Sequence, residues 1–166
     1  MHKDLDNKEA VEKIISLVKE IKTGIFVTEL TKTPLQSRPM SIQDIDDKGN
    51  LWFISSANSN KNFEILKDNQ VQLFFANNSS SQYISIYGSA SIYRDQSIID
   101  ELWSPVAKAW FEEGKNDPNV TVIKVVPSDA YYWDTKDGKV ISLLKMAGSA
   151  LFGNTADIGV EGKLKL

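Results

Sequence analysis

The chain contains no cysteine, which excludes a disulfide framework, thiol catalysis and a cysteine-ligated metal. Its only histidine is His2. A Ser–His–Asp triad would need a different base, and a zinc site built on His and Cys is ruled out. No glycine-rich phosphate loop of the Walker or dinucleotide type occurs. Positive charge is not in excess: 19 Lys and Arg against 22 Asp and Glu leave a net charge of −3. That balance argues against nonspecific binding to nucleic acid or to a membrane surface. No apolar run approaches the roughly 20 residues of a membrane-spanning helix. The N-terminal MHKDLDNKEAVEK is too charged for a signal peptide. Together these absences lead us to expect a cytoplasmic protein. The Asn-x-Ser/Thr triplets at Asn77, Asn78 and Asn119 then carry no glycosylation meaning. Any redox or group-transfer chemistry would fall to a bound cofactor.

What is present suits one globular domain. The 166 residues are 42% hydrophobic and 25% charged, ordinary values for a packed single core. We expect one domain over residues 1–166, with residues 1–6 and 155–166 loosely held because the tail GVEGKLKL is rich in Gly and Lys. Val11, Ile14, Ile15, Val18 and Ile21 recur at helical spacing and predict a helix over 7–22, with Asp6 and Glu9 as a capping box and Gly24 as its stop. Strands are predicted at 24–31, 35–46, 51–55, 71–76, 83–92 and 120–134, the last interrupted at Pro127. Short helices are expected at 60–68, with Phe63, Ile65 and Leu66 inward, and at 97–113, broken by Pro105. Residues 139–152 are ambiguous between strand and helix. In the fifth strand, Ile84, Ile86, Gly88, Ala90 and Ile92 alternate with Tyr83, Ser85, Tyr87, Ser89 and Ser91. Small residues at Gly88 and Ala90 point to a curved barrel strand. The fold class is α+β, mainly β, a barrel with three or more peripheral helices.

One stretch concentrates groups that suit an anion. Arg38 shares strand parity with Met40 and Ile42, so it points the same way as apolar neighbours and requires a partner. Asp44 or Asp46 could supply that partner, or the charge could clamp an anion. The loop SSANSNK, Ser55 to Lys61, lies at the mouth of a helix, where backbone N–H groups and hydroxyls favour a phosphate. Lys61 sits at the positive end of that helix, where a cation is disfavoured unless an anion binds. A solvated lysine and an ordinary capping loop are the plainer readings. Tyr83, Tyr87, Trp103, Trp110, Tyr131, Tyr132 and Trp133 form an aromatic reserve that could stack on a planar ring or fill a core or interface. No catalytic residue and no metal ligand can be named.

The order SRPM, WFISSANSNKNFEIL, QVQLFFA and YISIYGSASI resembles the pyridoxamine 5′-phosphate oxidase-like flavin proteins. The later LWSPVAKAWFEEGKNDPNVTVIKVVPSDAYYWD resembles their general stress protein branch, and the likeness spans roughly residues 8–150. The resemblance implies a split β-barrel of six to seven strands with Greek-key connections. It implies a homodimer with FMN, or alternatively FAD, at the subunit interface. Carried over position by position, Arg38 and Lys61 would hold the phosphate. Met40 and Ser41 would run along the flavin edge, Ile54 and Ser55 would match the next strand's contact step, and Ser59 would match the serine before the basic pair. Tyr83 stands where the family has a glutamine, and an aromatic such as Trp110 or Tyr83 is expected to reach the ring from a second subunit. The sequence departs from the pattern at Asn60, where a second basic residue is usual. It also lacks the C-terminal Arg-x-His signature, so the vitamin-forming oxidase reaction is not expected. A flavin-dependent oxidoreductase of unknown substrate is the leading expectation. A non-enzymatic flavin-binding stress or sensor protein, or a split barrel holding haem or a deazaflavin, are the alternatives.

Overall fold

The computed structural model describes residues 1–135 and 158–166. The ambiguous segment 139–152 lies outside the described residues. Helix α1 (Asn7–Ile21) buries Ala10, Ile14, Leu17 and Val18 on the face that the helical spacing marks out. Strands β2 (Thr23–Thr28), β3 (Gln36–Ser41), β4 (Asp44–Ile45) and β5 (Leu51–Ser56) follow. Helix α2 (Asn60–Lys67) leads into β6 (Gln70–Asn77) and the long β7 (Gln82–Tyr93). Helix α3 (Gln96–Leu102) and two 3-10 turns precede β8 (Val120–Thr135). A two-residue β1 (Leu5–Asp6) and β9 (Gly159–Lys165) complete the described elements.

The strands pair in the order β1-β9-β8-β7-β6-β2-β3, with β5 joined to β8 and β4 to β5. The long β8 splits the barrel. One of its edges follows β7, and the other serves β5 from Val120 to Val125 and β9 from Ala130 to Thr135. The architecture is the expected α+β split barrel. Its core gathers α1 with the inward residues of the strands, including Phe26, Phe53, Leu73, Phe75, Ile86, Ile123 and Tyr132. Gly88 marks a register shift between β7 and β8, and a side chain there would put Cβ 2.3 Å from the Val126 carbonyl oxygen. Pro127, opposite Gly88, therefore bends β8 without ending it.

Several local expectations need correction. The C-terminal tail is not loose: β9 pairs with β8 and with β1, and Leu164 is fully buried. Its Gly and Lys content hid an alternation in which Val160 and Leu164 face the core and Gly162 admits the N-terminal strand, with Lys3 O only 1.9 Å from a notional Cβ. The capping box does not form. Asp6 is the N-cap residue of α1 but makes no side-chain cap hydrogen bond, because it belongs to β1 opposite Lys165. The run 35–46 changes partner midway: Ile42 N donates to Lys22 O and Gln43 N donates to Trp52 O, so β3 stops at Ser41. Helix α3 ends at Leu102, and the chain to Asn116 turns in short 3-10 segments around Pro105. In α2, Ile65 is buried as expected, but Phe63 and Leu66 are exposed and Asn62 and Glu64 are buried. That inversion positions the candidate site.

Candidate anion site at the start of the second helix

Helix α2 begins at Asn60 after the β5 strand end, and its inward face is held by polar atoms. Asn62 is 2% exposed, Ser55 3% and Thr121 1%, and the three make a closed set. Ser55 Oγ donates to Asn62 Oδ1 at 2.6 Å, Asn62 Nδ2 donates to Thr121 Oγ1 at 2.9 Å, and Thr121 Oγ1 donates back to Ser55 O at 2.8 Å. Ser59 Oγ joins at 3.2 Å from Asn62 Oδ1. Every buried polar group in this set has a partner, so the network fixes the start of α2 against β5 and β8.

One turn along, Glu64 plays the same part for β2 and β3. Thr28 Oγ1 donates to Glu64 Oε2 at 2.5 Å, and Arg38 Nη2 donates to the same oxygen at 2.6 Å. Arg38 Nη1 donates to Thr28 Oγ1 at 2.6 Å. Arg38 thus faces inward, on the side of its strand that Met40 shares and opposite Phe26. Its carboxylate partner is Glu64, not Asp44 or Asp46. Asp46 is engaged elsewhere, accepting from Asn50 and Trp52 in its own turn. Burial pushes the Glu64 carboxyl up, but the hydrogen bonds from Thr28 and Arg38 and the charges of Arg38 and Lys67 outweigh it and leave it below the usual range.

Lys61 is the unsatisfied member. It is half-buried and has no hydrogen-bond or ion-pair partner among the described residues. Burial, reinforced by the positive charge of Arg38 and only partly offset by Glu64, pulls its pKa down. A cation depressed in this way at a helix N-terminus gains from an anion beside it.

The structure brings Arg38, Ser55, Ser59 and Lys61 to one side of the barrel. Ser55 is committed to Asn62, and Ser59 is the N-cap residue of α2. Met40 packs against the main core, while Ser41 is exposed with its hydroxyl 2.7 Å from Thr23 Oγ1. Ile54, on the other face of β5 from Ser55, packs against a second small core of Ile99, Phe111, Val120 and Val122. Tyr83 and Trp110 lie on other elements, β7 and the 3-10 turn before β8. Tyr83 lies on the outer face of the sheet, opposite in parity to the inward Ile84, and Trp110 is 78% exposed in the 3-10 turn Ala107–Trp110. Neither has a hydrogen bond or ring contact with Arg38 or Lys61 among the described residues. Thr28, Asn62, Glu64 and Thr121 escaped the sequence reading. Glu64 alone left a signal, since it lies three residues after Lys61 on one helix.

The comparisons with known proteins agree on lineage. The model of the family described as "Pyridoxamine 5'-phosphate oxidase like" matches residues 9–157. Protein bli-3 of Neurospora crassa is 27% identical over 164 residues, covering 93% of this chain and 78% of that protein. A solved structure from Jannaschia sp. CCS1, provisionally described as general stress protein 26, superposes with a TM-score of 0.80 at 23% identity, covering 95% of this chain and 98% of that one. That likeness speaks for the fold alone. The general stress FMN/FAD binding protein of Xanthomonas citri is 28% identical with a TM-score of 0.66, covering 77% of this chain and 90% of that one. With the split barrel observed and the family model matched over most of its length, the chain belongs to the pyridoxamine 5′-phosphate oxidase-like family.

Proposed function

We propose that this protein binds a flavin nucleotide, FMN by preference, as a flavin-dependent oxidoreductase of the general stress type. The observation that carries the reading is the nearness of a held guanidinium, Arg38, to Lys61 at the start of α2, a lysine with no hydrogen-bond or ion-pair partner among the described residues. These two cations and the first backbone N–H groups of α2 suit the 5′-phosphate. When bound, the flavin supplies hydride or electron transfer; the chain supplies binding, orientation and exclusion of water. With one basic residue where the family has two, Arg38 and Lys61 carry the phosphate charge. A homodimer belongs to the same proposal. Ile25, Phe74, Tyr83, Tyr87 and Trp133 lie exposed on the outer sheet face, and a second copy of the chain would cover them. The test is titration of FMN and riboflavin by quenching of flavin fluorescence, followed by anaerobic addition of NAD(P)H. Saturable FMN binding tighter than riboflavin binding supports the phosphate site. Bleaching of the flavin absorbance by NAD(P)H supports the redox assignment. No saturable quenching with FMN or FAD would sink the proposal.

A further inference from the structure

We infer that Thr28 and Glu64 are positioning residues that clasp the terminal edge of the Arg38 guanidinium and so present its lateral edge, Nε–H with the second Nη2–H, as a preorganised fork for a ligand oxyanion. The inference rests on the phosphate reading of this site. It follows from the geometry of three atoms. Arg38 Nη1 donates to Thr28 Oγ1 and Nη2 donates to Glu64 Oε2, both at 2.6 Å. The two acceptors are themselves hydrogen-bonded at 2.5 Å, so they lie side by side. Two acceptors side by side can satisfy Nη1 and Nη2 together only along the terminal edge of the planar group. The other Nη1 proton is turned toward the Phe26 and Gln36 carbonyl oxygens, each 3.5 Å away. What remains is the lateral pair of parallel donors, neither with a partner among the described residues, and such a pair is the geometry that binds two oxygens of a phosphate at once.

The clasp also explains a choice of residue at a fully buried position of β2. Thr28 is 0% exposed and its hydroxyl is used twice, donating to Glu64 and accepting from Arg38. A valine of the same shape would fill the space and sever both bonds. Glu64 would then hold Arg38 by one bond, about which the guanidinium could turn. The held side chain carries less rotamer entropy into binding, which is where preorganisation gains affinity.

The test compares FMN with riboflavin, which lacks the phosphate, in wild type, Thr28→Val and Thr28→Ser. Wild type is expected to prefer FMN. Thr28→Val should cut that preference by about tenfold, the size of one charge-assisted contact, without changing riboflavin affinity. Thr28→Ser, which keeps the hydroxyl, should restore it. A purely structural role for Thr28 would shift both ligands alike. A second readout needs no flavin and no variant of Thr28. In nitrogen-15 spectra of the flavin-free protein, the Arg38 Nη protons, assigned by their loss in Arg38→Lys, should be resolved because rotation about the guanidinium bonds is blocked. Averaged Nη signals, or a Thr28→Val protein as selective for FMN as wild type, would overturn the clasp. A wild type with no preference for FMN would instead remove the phosphate reading beneath it.

Discussion

Two faces of this barrel break the rule of apolar inside and polar outside, and they break it in opposite directions. At the start of α2, Thr28, Ser55, Asn62, Glu64 and Thr121 are buried, yet each is hydrogen-bonded within the chain. On the outer face of the sheet, Ile25, Phe74, Tyr83, Tyr87 and Trp133 are between 36% and 46% exposed. The first region answers its exception internally and is preorganised. The second leaves its exception open, and in the proposed dimer a second copy would cover it. Buried polar groups are costly unless satisfied, whereas exposed apolar groups are tolerated singly but not in a contiguous patch.

The sharpest break is at Arg38. Arg38→Ala should destabilise the protein by about 2–4 kcal/mol, because it leaves the Glu64 carboxylate without its cation and with only the Thr28 hydroxyl as donor; that lies near the lower end of what breaking a buried pair costs, since both ends keep some solvent access. FMN binding should weaken by roughly 10–100-fold in the molecules that remain folded. Thermal melts and titrations of the same sample check both, and an unshifted melting temperature would show that the polar face is not held as described. On the other face, Phe74→Asp should weaken self-association by roughly 10–30-fold with little change in the melting temperature of the isolated chain. Light scattering across a dilution series would show it. Wild type that scatters at 18.6 kDa at micromolar concentration would contradict the dimer outright.

A smaller effect separates the two cations. Lys61→Met should weaken FMN by about tenfold and yet raise the melting temperature of the flavin-free protein by on the order of 1–2 °C. Lys61 is a depressed cation without an ion-pair partner among the described residues, so removing its charge relieves a cost that Glu64 only partly offsets and that the proposed phosphate would offset further. A lower melting temperature in Lys61→Met would mean that the lysine is satisfied without ligand. The smallest effect is on acid stability. Glu64 is depressed in the folded state, so its contribution is complete above its ordinary value of 4.5 and is lost as the pH falls below that toward the depressed one. The melting temperature should therefore fall more steeply in wild type than in Glu64→Gln between about pH 5 and pH 3, the carboxylate range. Parallel slopes would place the acid sensitivity elsewhere.

Much of the fold was legible because burial leaves a period in the residues. Val11 to Ile21 mark a helix face and Ile84 to Ile92 mark a strand face, and both were found where expected. The tail was not legible, because Gly and Lys mask its alternation and the strand it covers, β8, lies far away in sequence. Within the site, Arg38 and Lys61 were visible as cations in unfavourable places. Their surroundings were not. Phe63 and Leu66 look like the core side of α2, and only the partners of Asn62 and Glu64 turn the helix the other way.

By itself the sequence determined most of the element types, a mainly β, α+β barrel class, the unfavourable settings of the Arg38 and Lys61 cations and the absence of cysteine. Those follow from local periods and from composition, which a linear chain carries in full. The tertiary structure alone decided which carboxylate answers Arg38 and which hydroxyl braces it. The physical reason is register. Thr28, Arg38 and Glu64 meet because β3 pairs with β2 at Phe26↔Arg38 and α2 packs behind them; a shift of one residue would turn Arg38 to the outer face and leave Glu64 buried and unpaired.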